Sequence, residues 1–229
     1  VFTAPSLDVD WYIVAGNHDH AGSIQAQIDY SSQSKRWKFP AASYTFQRSL
    51  PSGKVAEFVM FDSVTLAGMS YHDKARDAFV AAPGPADALA AKRNWDWVEQ
   101  QLSASKADYL FLGSHYPVWS VCSHGSTKDF VSNLRPLMTK YGVTAFLSGH
   151  DHCLMHIEED SNYFVLSGAG AEAWYSAHNK ANIGGAQLKW YMARDNKQHY
   201  DGGFAAITLT DEAATVSYYG DDGTQLYQA

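Results

Sequence analysis

The chain of 229 residues is poor in cysteine, has no long apolar run and carries no excess of positive charge. Its two cysteines, Cys122 and Cys153, are too few for a disulfide framework. Each stands beside a histidine-bearing segment, so a bridge would lie near those histidines, but two cysteines alone do not require one. No apolar stretch reaches the ~18 residues needed to cross a bilayer, so no membrane span is expected. The lack of any Asn-x-Ser/Thr triplet removes a glycosylation argument for secretion. No basic patch stands out against the net charge of −7, which speaks against a nucleic-acid partner. Internal repeats and low-complexity segments are also missing. What remains is a chain with 46% hydrophobic residues, enough for one globular domain over residues 1–229. An acidic protein that handles anions must attract them locally, and bound cations do that.

Three segments share one pattern. The apolar residues 11–15 run into Gly16-Asn17-His18-Asp19-His20. Residues 109–113 run into Ser114-His115-Tyr116-Pro117, and residues 143–147 run into Ser148-Gly149-His150-Asp151-His152. Each reads as a buried strand that ends in a small residue and then a metal-competent side chain. Sites in open α/β sheets form outside the carboxyl ends of strands. Asn17, His115, His150 and His152 are therefore the ligand candidates. Imidazoles with an amide oxygen suit zinc, iron or manganese. Alternate residues of an extended segment point apart, so His150 and His152 favour two ions over one. A pair of ions clamps the attacking and leaving oxygens of a phosphoryl displacement, but also needs carboxylates. His18 and His124 are candidates to donate to a phosphoryl oxygen or protonate a leaving group. Asp19, Asp151 and Tyr116 read as groups that support the ligands, and Trp119 as a lining or support of the cleft. His20, His72, His156, His178 and His199 have no constellation.

The remaining chain reads as a mixed α/β fold. Residues 23–30 form a short helix capped by Ser23, and residues 86–103 a helix burying Trp95, Val98 and Leu102. Residues 129–141 are amphipathic, with Pro136 as a kink and Gly142 as the stop. Strands are expected at 43–48, 55–62, 154–157, 163–167, 204–209, 215–219 and 224–227. Residues 69–87 read as a long surface loop and 174–201 as an excursion without period. The basic-aromatic run at 35–40 reads as a solvated loop anchored by Trp37. The element order implies a mixed sheet system with helices outside.

These segments resemble the later blocks of the metallophosphoesterases, and in particular the small, mammalian-type purple acid phosphatases. The match rests on Gly16-Asn17-His18-Asp19, on residues 113–120 and on Gly149-His150-Asp151-His152. Ser34-Lys35-Arg36-Trp37, His124-Gly125, Leu134-Arg135-Pro136-Leu137 and Leu166-Ser167-Gly168-Ala169-Gly170 extend it. The resemblance implies an α/β/β/α four-layer sandwich and a binuclear centre of Fe(III) with Fe(II) or Zn(II), or with manganese. It implies that Asn17, His115 and His150 bind the divalent ion, that His152 binds the ferric ion, and that His18 and His124 contact the phosphate or leaving group. It implies an acid phosphatase acting on phosphate monoesters, in a secreted, lysosomal or vacuolar setting. Residues 69–87 match an exposed loop that covers the site and is clipped to activate it. Two earlier family blocks, which carry aspartates and a tyrosine ligand, have no counterpart here. On that reading the chain is the C-terminal portion of one catalytic domain, partnered by a missing N-terminal segment and inactive alone. Two other readings stand beside it: a metallophosphoesterase for diesters, nucleotides or pyrophosphate, and a non-catalytic module that has lost the ferric site.

Overall fold

A computed structural model describes residues 3–75, 78–170, 173, 176–192 and 200–229. His199 lies outside the described residues, as do parts of the expected 174–201 excursion. The chain opens with β1 (Trp11–Tyr12), α1 (Asn17–His20), α2 (Ile24–Tyr30) and β2 (Trp37–Lys38). It continues with β3 (Tyr44–Ser49), β4 (Val55–Met60), α3 (Ser63–Ala67), β5 (Tyr71–Asp73), β6 (Ala78–Val80) and α4 (Ala88–Ala104). Next come β7 (Tyr109–Gly113), a π-helical turn at Phe130–Leu134, α5 (Arg135–Tyr141) and β8 (Ala145–Ser148). The last part is all strand: β9 (Leu154–Glu159), β10 (Asn162–Ser167), β11 (Gln187–Tyr191), β12 (Gly203–Leu209), β13 (Ala214–Gly220) and β14 (Gln225–Gln228).

Seven strands form the main sheet in the order β11-β9-β10-β8-β7-β4-β3. Its centre, β4, β7, β8 and β10, is parallel, with antiparallel strands on both flanks. The central strands read as continuous apolar runs because both faces are covered. Helices cover one face: Val64 and Leu66 of α3, Val98 and Leu102 of α4, and Met138 of α5 join Leu112, Phe146 and Phe164 in one buried cluster. The antiparallel sheet β12-β13-β14 covers the other, where Val216 and Tyr218 meet Ala56, Phe111 and Val165. Each fully buried Leu, Val or Phe contributes ~1.5–3 kcal/mol, which locks helices and small sheet onto the main one. Helix α2 packs through Ile24 and Ile28 on Trp37 and Phe46 in a smaller cluster.

Several expectations shift. The strand expected over 11–15 pairs only at Trp11 and Tyr12, with Trp37 and Lys38 of β2, and stays outside the main sheet. The 69–87 loop contains a hairpin, β5 with β6. The 129–141 helix divides at Leu134, so Pro136 falls in the first turn of α5, where its missing N–H costs no helical bond. Gly142 ends α5 at φ 64°, as a helix stop should. The 174–201 excursion returns as β11, an edge strand of the main sheet.

Candidate metal centre and catalytic cleft

The parallel strands deliver the site. β7 ends at Gly113 and β8 at Ser148, so His115 and His150 emerge side by side at one edge of the sheet. Asn17 arrives separately, as the first residue of α1, whose Gly16 N–H is accepted by Asp19 Oδ2 at 2.8 Å. A side chain at position 16 is excluded: a Cβ there would lie 2.8 Å from the His115 ring. Gly168 has the same duty behind the His150 loop, where a Cβ would lie 1.8 Å from the Asp151 carbonyl oxygen. His150 itself has φ 68°, a left-handed conformation that costs a non-glycine residue about 1 kcal/mol or more.

Three donor atoms converge. His115 Nε2 lies 2.8 Å from Asn17 Oδ1 and 3.1 Å from His150 Nδ1. A chain of hydrogen bonds sets which atoms face inward. Asn17 Nδ2 donates to the Ser70 carbonyl at 3.1 Å, which turns Oδ1 toward His115. Ser70 Oγ donates to Tyr116 Oη, and Tyr116 donates to the Gly68 carbonyl, both at 3.1 Å. Ser70 Oγ is then the acceptor for His150 Nε2–H at 3.2 Å, so Nδ1 carries the lone pair. His115 Nε2 can give one proton to one of its two neighbours. A cation satisfies all three atoms together, and bonds of 2.0–2.1 Å at tetrahedral angles would space them about 3.4 Å apart. The donor set therefore fits one divalent ion. Burial first, and then repulsion from neighbouring histidines, lowers both imidazole pKa values; Asp19 partly offsets this for His115, which comes down to about 4. Both rings stay neutral, the form that binds metal.

His124 stands against the same group, its ring centroid 4.2 Å from that of His150. Asp151, fully buried, accepts from His124 Nδ1 and from the His124 backbone N–H, each at 2.8 Å. It also accepts from Gly125 N at 3.2 Å and from Ser120 Oγ. A disulfide between Cys122 and Cys153 ties the His124 loop to the His150–His152 loop. The two cysteines, which on sequence carried no requirement to pair, are thus joined across the site.

One cavity of about 420 Å³ is lined by Asn17, His18, His115, His124, His150 and His152, with Tyr71 and His72. All six candidate ligand and substrate residues share it. The three supporting residues do support: Asp19 caps α1 and takes a hydrogen bond from Gln27, Asp151 holds His124, and Tyr116 braces Ser70. Trp119 sits away from the cavity, donating to Glu159 at 3.0 Å. No three His, Cys, Asp or Glu side chains among the described residues come close enough to hold an ion by themselves, so the set needs the Asn17 amide. For a second ion, His152 is the imidazole that sequence offers. The reading missed Ser70, whose partners lie 53 and 80 residues away, and His72, which only the hairpin brings to the cavity. It also missed the pair His20–Asp62 at 2.9 Å, in which Asp62 caps α3 and braces α1.

Imidazoles and an amide gathered at the carboxyl edge of a layered mixed sheet define a metal-site α/β protein. The chain belongs to the calcineurin-like phosphoesterase family, whose profile matches residues 2–154. It is 38% identical over 233 residues to human tartrate-resistant acid phosphatase type 5, covering 100% of this chain and 69% of that protein. It is 28% identical to purple acid phosphatase 4 of Arabidopsis thaliana, covering 100% of this chain and 64% of that one. Among solved structures, GAP50, the anchor in the inner membrane complex of Plasmodium, superposes with TM-score 0.74 at 17% identity, over 100% of this chain and 68% of that one. A dimetal phosphatase from Danio rerio superposes with TM-score 0.51 at 15% identity, over 91% of this chain and 68% of that one. The expected metallophosphoesterase fold is thereby shown.

Proposed function

We propose that this protein is a metal-dependent acid phosphatase that hydrolyses phosphate monoesters. The observation that carries the reading is the meeting of Asn17 Oδ1, His115 Nε2 and His150 Nδ1 in a cavity that also holds His18, His124 and His152. Asn17, His115 and His150 would hold a divalent ion, Fe(II), Zn(II) or Mn(II), and His152 would face a ferric ion. The metals supply the charge that draws the phosphate and activates water. His18, exposed on α1 at the cavity mouth, gives a hydrogen bond to a phosphoryl oxygen. Asp151 holds His124 by Nδ1, so Nε2 is the nitrogen that passes a proton to the leaving oxygen. The buried Asp151 also stabilises the imidazolium before transfer. The disulfide supports an oxidising compartment, in keeping with a secreted, lysosomal or vacuolar protein.

One observation favours a second reading, the non-catalytic module: among the described residues the second ion gains no His/Cys/Asp/Glu cluster. Two measurements separate the readings. The phosphatase binds metal and releases phosphate from phenyl phosphate, with turnover falling at least tenfold in His124→Ala. A protein with neither bound metal nor phosphate release would overturn the proposal.

A further inference from the structure

A second cavity of about 280 Å³ adjoins the metal cleft and shares His124 and His150 with it as walls. One of its linings is apolar and small, Ala81, Ala82 and Pro83, from the segment after the β5–β6 hairpin. The other is Ser126, Thr127 and Lys128, from the loop that carries His124. Ser126 Oγ accepts from Ser120 N at 3.1 Å, which leaves its hydroxyl proton to give. No acidic side chain lines this cavity among the described residues, in a chain whose net charge is −7. Lysines elsewhere are tied to carboxylates: Lys38 to Asp10, Lys92 to Asp96, Lys140 to Glu99 and Lys189 to Glu158. Lys128 has no such partner among the described residues.

We propose that this cavity is a leaving-group subsite for a leaving group that is itself a phosphate, with Lys128 as its specificity-determining residue. The inference rests on the phosphatase reading and names a substrate class for it: phosphoanhydrides, as in pyrophosphate or a nucleoside diphosphate. The geometry follows from His124. A side chain that protonates the leaving oxygen must stand beside the leaving group, and the cavity on whose wall His124 stands is lined by hydroxyls and an ammonium. In the step, a water oxygen bonds to the terminal phosphorus and the bond from that phosphorus to the bridging oxygen breaks. The bridging oxygen leaves with the electron pair and takes the His124 proton. One water proton stays on the product phosphate and the other restores His124. The departing phosphate bears more negative charge than an alcohol would, and Lys128 meets that charge.

The test uses the metal-replete enzyme and Lys128→Met, which keeps the apolar stem. The ratio of kcat/KM for pyrophosphate to kcat/KM for phenyl phosphate should fall about tenfold, the worth of one charge-assisted hydrogen bond. ADP run in parallel tells whether the preferred leaving phosphate is inorganic or carries a nucleoside. Lys106→Met, an exposed lysine just before β7, at the far end of that strand from His115, should leave the ratio unchanged. By calorimetry, methylenediphosphonate should bind Lys128→Met about tenfold more weakly than it binds the parent. A ratio and a diphosphonate affinity both unmoved by Lys128→Met overturn the subsite while phenyl phosphate turnover leaves the phosphatase reading standing. Absence of phenyl phosphate turnover in the parent overturns the phosphatase reading itself.

Discussion

Burial, followed by the charge of neighbouring imidazoles, keeps His115 and His150 in their neutral, lone-pair form well into acid. The same burial has a cost in the metal-free protein. The ordinary histidine pKa is 6.5, and His115 is held at about 4 in the fold. Between those values the unfolded chain binds a proton that the folded chain refuses. Stability of the metal-free protein should therefore fall as pH drops from about 6.5 to about 4, by up to ~3 kcal/mol from this residue. Urea denaturation of metal-free protein at three pH values in that window checks it; a stability flat or rising toward acid would contradict it. Ser70 makes a sharper test of the donor arrangement. Its carbonyl turns the Asn17 amide and its hydroxyl sets the His150 tautomer. Ser70→Ala keeps the carbonyl and loses the hydroxyl, so metal affinity should drop 10–100-fold, read by competition with a chelator. Ser70→Thr, which restores the hydroxyl, should recover most of it; an equal loss in both would point to packing instead. His115→Ala and His150→Ala should each lose the divalent ion, measured as metal per protein.

At the scale of elements, strand ends were legible because an apolar run, a small residue and a polar terminus are all local signals. His115 and His150 follow β7 and β8 where the sequence puts them. The helices over 24–30 and 88–104 were legible for the same reason, from Ser23 as cap and from the Val98–Leu102 spacing. Partnerships across the chain were not legible. Ser70, His72 and the His20–Asp62 pair carry no local signature, and only the fold brings their partners near. Nor did the 11–15 run reveal that just two of its residues would find a strand partner, since pairing depends on neighbours. The hairpin β5–β6 is the element that stands over the cleft, with Tyr71 54% exposed and both Tyr71 and His72 on the cavity wall. Few buried contacts hold its tip, so a cut within 69–87, between Asp73 and Ala78, should spare the core. Turnover should rise once the hairpin no longer narrows the cleft, with the thermal midpoint moved by only a few degrees. Limited proteolysis followed by phenyl phosphate kinetics decides; unchanged turnover in the nicked protein removes the lid.

The whole molecule has one covalent tie, and it crosses the functional edge. Cys122 follows the Tyr116–Ser120 stretch, Cys153 precedes β9, and 31 residues of sequence separate them. Within that span lie the π-helical turn, α5 and β8. Closing such a loop in the unfolded chain removes an entropy worth ~3–4 kcal/mol at 25 °C, on the chain-entropy account. That is a large share of the ~5–15 kcal/mol by which a domain is stable. The tie also has a local consequence. Asp151 reaches across from the His150 loop to hold His124 and Gly125, and its carboxylate has no exposure to water. If the two loops part, a buried carboxylate loses its donors and His124 loses the partner that fixes its proton. The double variant Cys122→Ala/Cys153→Ala should thus fold, because the Val98, Leu102, Met138 and Phe146 core does not depend on the bridge. Its stability should fall by ~3 kcal/mol, or roughly 10 °C in thermal midpoint for a chain of this size. Its kcat should fall more than its KM rises, since the loosened group is the proton donor and not the phosphate clamp. Calorimetry with steady-state kinetics on phenyl phosphate measures both. A midpoint within 2 °C of the parent, about half a kcal/mol or less, with kcat unchanged, would show that hydrogen bonds to Asp151 alone hold the loops together.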